Sequence, residues 1–233
     1  MKSLGSQSFM YFNYSTLQKI FFMKQLVYLF FIFLFFACSN TSKLQSGDLI
    51  FQDLDNSTLS DAIENATADA GILKISHIGI VVIENGNIFV IEAFDSVQKT
   101  PLKSFLNRSK FANGNPKVMV GRLKKEFRNT IDAALIRASN LLGKPYDMEF
   151  RLNNDKYYCS ELVYDSFLME DNSPIFSVKP MSFTNKNTGK IDQTWIDYFK
   201  AQNSIVPEGE LGNNPADYAK STVVDILDNV RLE

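Results

Sequence analysis

Apolar and β-branched residues gather in two runs, at 75–83 and 88–94, separated by Glu84-Asn85-Gly86-Asn87. Asn-Gly between such runs is the strongest short-range hairpin signal. With Asn85-Gly86 as a two-residue turn, Glu84 faces Asn87, Val82 faces Phe89 and Gly79 faces Glu92. Gly47-Asp48 opens a short strand at Leu49-Ile50-Phe51, and residues 117–123 form another. Between 127 and 142, Ile131, Ala134, Leu135, Ala138, Leu141 and Leu142 recur at helical spacing, and Gly143-Lys144-Pro145 ends that helix. A second helix covers 159–169, with Leu162, Val163, Tyr164 and Phe167 at core spacing. Shorter helices fit 101–106 and 194–201, and 56–70 reads as a loop with a weak helix. Strands and helices do not alternate regularly, so the expected fold class is α+β around an antiparallel sheet.

The first 37 residues break the pattern. They hold nine of the 20 phenylalanines, three lysines and no acid. Met23-Lys24-Gln25 leads into an almost wholly apolar stretch at 26–36, then Ala37-Cys38-Ser39-Asn40. A basic start, a short apolar stretch and a small residue at the cut make a secretory signal peptide over 23–37. The stretch is too short to span a bilayer, which needs ~20 apolar residues. Ala37-Cys38 resembles the lipobox of bacterial lipoproteins, with Phe35 and Phe36 in place of the usual Leu and small residue. Cys38 is then the lipidated mature N-terminus and 38–46 a polar tether. The alternative is an ordinary signal peptide with a Cys at its junction. A signal starting at Met23 makes 1–22 an upstream extension and Met23 the initiator, the alternative being a long n-region. Removing three lysines and no acid leaves residues 38–233 with a net charge of −5. That balance carries no basic footprint for nucleic acid. The mature chain fits one domain, 47–221 with a tail at 222–233, and is expected to be a monomer.

Two cysteines and one histidine exclude a zinc ribbon, a four-thiolate cluster and any site needing two imidazoles. If Cys38 carries lipid, Cys159 is the one free thiol. In the hairpin register His77, Gly79 and Glu92 share a face, with Glu92 diagonal to His77 and Gly79 leaving room between. A carboxylate beside an imidazole fixes its tautomer and frees the other nitrogen to act as base. Cys159 begins a helix, where unpaired N–H groups and partial positive charge favour thiolate. The same groups can hold an oxyanion, and Tyr158 stands next to them as a side-chain donor. Each residue alone has a plainer role: a core cysteine, a satisfied histidine, a solvent-facing Glu92. Together they have the makings of a Cys–His–acid triad.

Five stretches carry a family likeness: Ser46-Gly47-Asp48-Leu49-Ile50-Phe51, Ser76-His77-Ile78-Gly79-Ile80-Val81, Phe89-Val90-Ile91-Glu92-Ala93, Leu142-Gly143-Lys144-Pro145-Tyr146-Asp147 and Tyr158-Cys159-Ser160-Glu161-Leu162-Val163. They resemble the NlpC/P60 superfamily of papain-like cysteine peptidases and amidases, in its circularly permuted YiiX/YaeF-like branch. Val206-Pro207-Glu208-Gly209 and Asn214-Pro215-Ala216-Asp217 resemble the family's tail. In papain the Cys precedes the His; here His77 precedes Cys159. The resemblance implies a permuted papain-like fold, an antiparallel sheet or barrel packed against helices. It implies Cys159 as nucleophile, His77 as base and Glu92 as third member. Tyr158, Ser160, Tyr146 and Asp48 are candidates for the oxyanion site or cleft. Asp48 is expected mainly to cap its turn, and Asp147 either lines the cleft or caps the loop before Cys159.

The implied reaction is acyl transfer through a Cys159 thioester, with no metal or organic cofactor. The expected enzyme is an envelope-anchored amidase or peptidase, held to the membrane by its lipid on the periplasmic side or at the outer membrane. Its expected substrate is an amide, in peptidoglycan stem peptides or linked to lipid. A lipid-directed acyl hydrolase or transferase and a non-catalytic binding lipoprotein are the alternatives. An apolar channel beside Cys159 would favour the former alternative.

Overall fold

A computed structural model describes residues 42–54, 58–67 and 74–232 of the chain. The upstream extension, the signal peptide, Cys38 and the first part of the tether lie outside these residues. In chain order the elements begin with strands β1 (Ser42–Lys43) and β2 (Leu49–Gln52) and helix α1 (Thr58–Thr67). Strands β3 (His77–Glu84), β4 (Asn87–Ala93) and β5 (Val97–Pro101) follow, then helix α2 (Leu102–Leu106) and strand β6 (Val118–Leu123). A 3-10 turn at Lys125–Thr130 leads into helix α3 (Ile131–Asn140), and α4 spans Cys159–Ser166. The C-terminal part holds β7 (Lys179–Pro180), β8 (Thr184–Asn185), β9 (Lys190–Ile191) and α5 (Gln193–Ala201). It ends with β10 (Leu211–Gly212), α6 (Pro215–Ala219), β11 (Val224–Leu227) and β12 (Val230–Arg231).

Six strands form one antiparallel sheet in the order β11-β6-β2-β3-β4-β5. The β3–β4 hairpin has the expected register, with Val82 opposite Phe89 and Glu84 opposite Asn87. Asn85 and Gly86 both take positive φ, 50° and 78°, as the turn that matches strand twist requires. Alternation then sorts the side chains. Leu49, Phe51, Ile78, Ile80 and Ile91 face a core shared with Ala134 and Ala138 of α3 and Leu162 and Val163 of α4. Ile50, Val81, Val90 and Val120 face the other way, under Leu102 and Phe105 of α2. A third cluster, Phe150, Tyr158, Phe183, Trp195 and Phe199, packs α5 against Ala62 of α1. Among the described residues no helix is long and apolar enough to cross a membrane.

Several expectations are corrected. The helix expected over 127–142 is shorter, because a 3-10 turn comes first and Thr130 turns its hydroxyl back onto the Phe127 carbonyl. α4 ends at Ser166, where Phe167 leaves helical geometry with ψ of 89°. The residues from 222 onward are not a tail outside the domain: β11 pairs with β6 as an edge of the sheet. Nor is 42–46 wholly a free tether, since β1 pairs in parallel with β12 and Leu44 is buried.

Gly79 is required by packing: a Cβ there would lie 2.3 Å from Val90 Cγ1 and 3.3 Å from Glu92 Cβ. Gly79→Ala must push β3 and β4 apart, and we expect it to destabilise the domain by roughly 1–3 kcal/mol. Urea denaturation followed by circular dichroism measures this as a lowered midpoint.

Candidate active site

The hairpin delivers two of the three expected groups to one end of the sheet. His77 is the first residue of β3 and Glu92 the penultimate residue of β4. From the Ile80–Ile91 pair onward, Glu92 falls diagonal to His77 on the same face. His77 Nε2 lies 2.6 Å from Glu92 Oε2. Its remaining nitrogen, Nδ1, is left for Cys159, which acts on the imidazole strongly enough to raise it. The imidazole sits between Phe94, edge-on at 5.7 Å, and Phe105, tilted at 5.9 Å. Cys159 is the first residue of α4, entered from an extended Tyr158. It is buried and makes no disulfide.

Two residues that the sequence pattern did not single out complete the acid's surroundings. Arg108 donates to both oxygens of Glu92, at 2.6 and 2.5 Å, and Thr100 donates to Oε1 at 2.5 Å. Thr100 stands opposite Val90 on β5, so it shares the face of Glu92. Arg108 follows α2, and its guanidinium carbon lies over Phe94, 4.2 Å from the ring centre. β5 could have been sought as a partner for β4, which would have exposed Thr100. Nothing local marks Arg108, which reaches Glu92 from 16 residues away.

Electrostatics follow from this arrangement. Burial alone would push His77 down, but hydrogen bonds to Cys159 and Glu92, with their charges, raise it to about 9. Burial would push Glu92 up, but hydrogen bonds and charge from His77 and Arg108 hold it at about 2. These shifts describe a charged imidazolium held by a charged carboxylate, with the sulfur of Cys159 beside it. Two residues beyond Cys159, burial lifts Glu161 to about 8, so it is largely uncharged at neutral pH.

A cavity of about 310 Å³ adjoins Cys159. Tyr146, Tyr158 and Ser160 all line it, as expected of cleft candidates. The hydroxyl of Tyr158, however, accepts from the Asn213 backbone N–H at 3.3 Å, and Ser160 Oγ donates to the Asn213 carbonyl at 3.3 Å. The two neighbours of the nucleophile are thus tied to one residue before α6. Tyr146 is raised by burial and next by the charge of Cys159, which puts its hydroxyl within electrostatic reach of the thiol. Asp48 does not line the cavity. It stands before β2, four residues from the Gln52 that pairs with His77, hence about 13 Å along the strand. Its carboxylate accepts from the Gln45 N–H at 2.8 Å and from Arg122 at 2.7 and 2.8 Å, so its role is structural. Asp147 likewise accepts from the Glu149 and Arg151 N–H groups and closes the loop before Cys159.

Comparison with known proteins gives the same family likeness. A model of the permuted papain-like amidase enzymes, the YaeF/YiiX, C92 family, matches residues 43–223. The uncharacterized protein YiiX of Escherichia coli K12 is 36% identical over 120 residues, 52% of this chain and 55% of that protein. The chain therefore matches little more than half the length of that relative. The crystal structure of metalloprotein yiiX from Escherichia coli O157:H7 is similar with a TM-score of 0.64 and 25% identity. It covers 79% of this chain and 96% of that one. That relative is described as a metalloprotein. Among the described residues here, no group of three or more His, Cys, Asp or Glu side chains is placed to hold an ion.

Because His77 is held above its ordinary 6.5, its contribution to stability is fully present below pH 6.5. It is lost as pH rises through about 9. Glu92 works oppositely: its contribution is present above its ordinary 4.5 and lost as pH falls through about 2. His77 is the only histidine in the chain, so one imidazole resonance in ¹⁵N NMR reports its titration. We expect a midpoint near 9, falling by at least one unit in Glu92→Gln. An unchanged midpoint would show that Glu92 does not hold the imidazole.

Proposed function

The chain belongs to the permuted papain-like amidase family, and from that premise we propose that it is a cysteine-dependent amide hydrolase with Cys159, His77 and Glu92 as its triad. The observation that carries this is one buried imidazole bonded to the acid at 2.6 Å and raised by both the acid and the thiol. The thiolate attacks the amide carbonyl carbon. The charge that develops on oxygen is met by N–H groups at the start of α4 and by the hydroxyl of Tyr146. His77 gives its proton to the leaving nitrogen as the C–N bond breaks, leaving a Cys159 thioester. His77 then takes a proton from water, which attacks the thioester, and acid is released with the thiol restored. Glu92, fixed by Arg108 and Thr100, keeps the imidazole oriented throughout. A binding lipoprotein without activity would have no need of this charge arrangement around a single thiol.

The proposed setting is the bacterial envelope, supported by the signal peptide at 23–37 and the lipobox-like Cys38. Peptidoglycan stem peptides are amides within reach of an enzyme tethered there. A second reading, a lipid-directed acyl hydrolase or transferase of the same mechanism, is favoured by the aromatic character of the cavity beside Cys159.

Iodoacetamide at pH 6 tests the nucleophile. Rapid alkylation of Cys159, slowed at least tenfold by His77→Ala, is expected; equal slow labelling in both proteins would overturn the triad. Incubation with muropeptides tests the peptide substrate: new amines should appear, and Cys159→Ala should reduce their formation by at least a thousandfold. If no amine forms, stem peptides are removed as substrates. Labelling of growing cells with an alkyne-tagged fatty acid tests the anchor. Incorporation should vanish in Cys38→Ala, and its persistence would rule Cys38 out.

A further inference from the structure

We propose that Asn213 is a specificity-determining residue whose carboxamide reads one backbone unit of a peptide substrate. It pairs with the N–H and C=O of the residue preceding the one whose carbonyl Cys159 attacks. The proposal rests on the amidase reading of Cys159. Asn213 is 5% exposed and lines the cavity that adjoins the thiol. Its Oδ1 and Nδ2 are both buried and have no hydrogen-bond partner among the described residues. A buried carboxamide in that state costs stability, and an apolar side chain of similar shape would remove the cost. The backbone of Asn213, by contrast, is fully engaged. Its N–H donates to the Tyr158 hydroxyl and its carbonyl accepts from Ser160 Oγ, each at 3.3 Å. Before it, β10 closes on β7, where a Cβ on Gly212 would run into the Met181 thioether. After it, Asn214 caps α6 by accepting from the Asp217 N–H at 3.0 Å. The fold thus holds a rigid point of the cavity wall beside the nucleophile and leaves its polar side chain unused, as a preorganised ligand contact requires.

The chemistry of a carboxamide narrows the ligand. It offers a donor and an acceptor side by side, so its partner must offer both. A carboxylate or phosphate only accepts and would leave Oδ1 unpaired. A lone trans amide points its N–H and C=O in opposite directions and can meet only one of the two atoms. One residue of an extended peptide presents its N–H and C=O along the same edge and meets both. The residue that bears the attacked carbonyl cannot serve, because that oxygen is held at the start of α4. The residue before it is the nearest that can. Trp195 lines the same cavity, and its indole N–H is likewise buried without a partner among the described residues. It adds a donor for a further peptide carbonyl.

The test uses the full-length Cys159→Ala protein and two compounds that differ in one group. One is N-acetyl-alanyl-alanine ethylamide. The other has lactate in place of the first alanine, so that an ester oxygen replaces the N–H facing Asn213 Oδ1. Leaving a buried acceptor unpaired in the complex should weaken binding of the lactate analogue at least tenfold, read by calorimetry. Asn213→Leu, introduced beside Cys159→Ala, should bring the two compounds to equal affinity with an unchanged or raised melting midpoint. Asn213→Ala supplies the comparison if the Leu variant does not fold. Equal affinity with Asn213 present, binding of neither compound, or discrimination that survives both substitutions overturns the proposal. A midpoint that falls together with the discrimination makes Asn213 structural and overturns it as well. Hydrolysis by the unmodified protein separates this from the catalytic reading. Cleavage of both compounds with equal kcat/KM leaves the amidase standing and overturns the role of Asn213. Discrimination in binding without cleavage of either supports that role and overturns the amidase.

Discussion

A buried carboxylate with too few partners is among the costliest things a protein can carry, and Glu92 is wholly buried. It is tolerable because His77, Thr100 and both arms of Arg108 donate to it. Removing one partner of such a group typically costs 3–5 kcal/mol, since the remaining charge is left uncompensated. This need constrains much of the architecture. β3 and β4 must pair in one register, because a slip of one residue would send Glu92 to the opposite face. Gly79 must stay small so that the strands can close over Val90 and Glu92. β5 must lie beside β4 to bring Thr100, and the turn after α2 must fold back to bring Arg108.

The sheet separates this reactive end from a structural one. At the far end of β2, Asp48 and Arg122 join the start of the domain to β6, and Arg122 also reaches the Lys43 carbonyl. The cation there satisfies a buried acid and a backbone carbonyl. At the near end Arg108 does the same for Glu92, but that acid is also bonded to an imidazole, and the imidazole to a thiol. The same kind of pair stands alone at one end and adjoins the proposed nucleophile at the other. Permutation preserves this, because only the packing of α4 against β3 and β4 matters, whichever segment comes first in the chain.

The parts legible in the sequence were those fixed by local rules. Asn85-Gly86 set the turn, the turn set the register, and the register put Glu92 beside His77. Cys159 was recognisable as a helix start from the extended Tyr157-Tyr158 before it. The parts that stayed hidden depend on contacts between distant segments. Arg108 lies in a loop with no periodicity, and its partner is known only once β4 and α2 are packed. β11 was missed because Val224–Leu227 is half exposed at a sheet edge, so it lacks the apolar run that identified β3 and β4. Tyr158 lines the cavity, yet its hydroxyl is engaged by Asn213, 55 residues further on. Local pattern fixes where a side chain starts; long-range packing decides what it touches.

In the proposed mechanism the site acts as an alternating row: Arg108 positive, Glu92 negative, His77 positive and the Cys159 thiolate negative. Each member has an opposite neighbour, so the row can be buried as a nearly neutral unit where any single member could not. This explains why His77 rises to about 9 in a setting whose desolvation would by itself lower it. The thiolate end is the only one open to the cavity, so it is the end at which the row can react. Charges near that end would disturb the balance, and burial raises the two acids closest along α4. Glu161 is pushed up to about 8, and Asp165 is raised as well. In the proposed mechanism sulfur loses its charge when it bonds to the carbonyl carbon, so His77 loses one of its two supports and the imidazolium becomes a stronger acid. That change precedes the breaking of the C–N bond, where the leaving nitrogen needs a proton, so the row proposed for the resting site would also time its proton transfer.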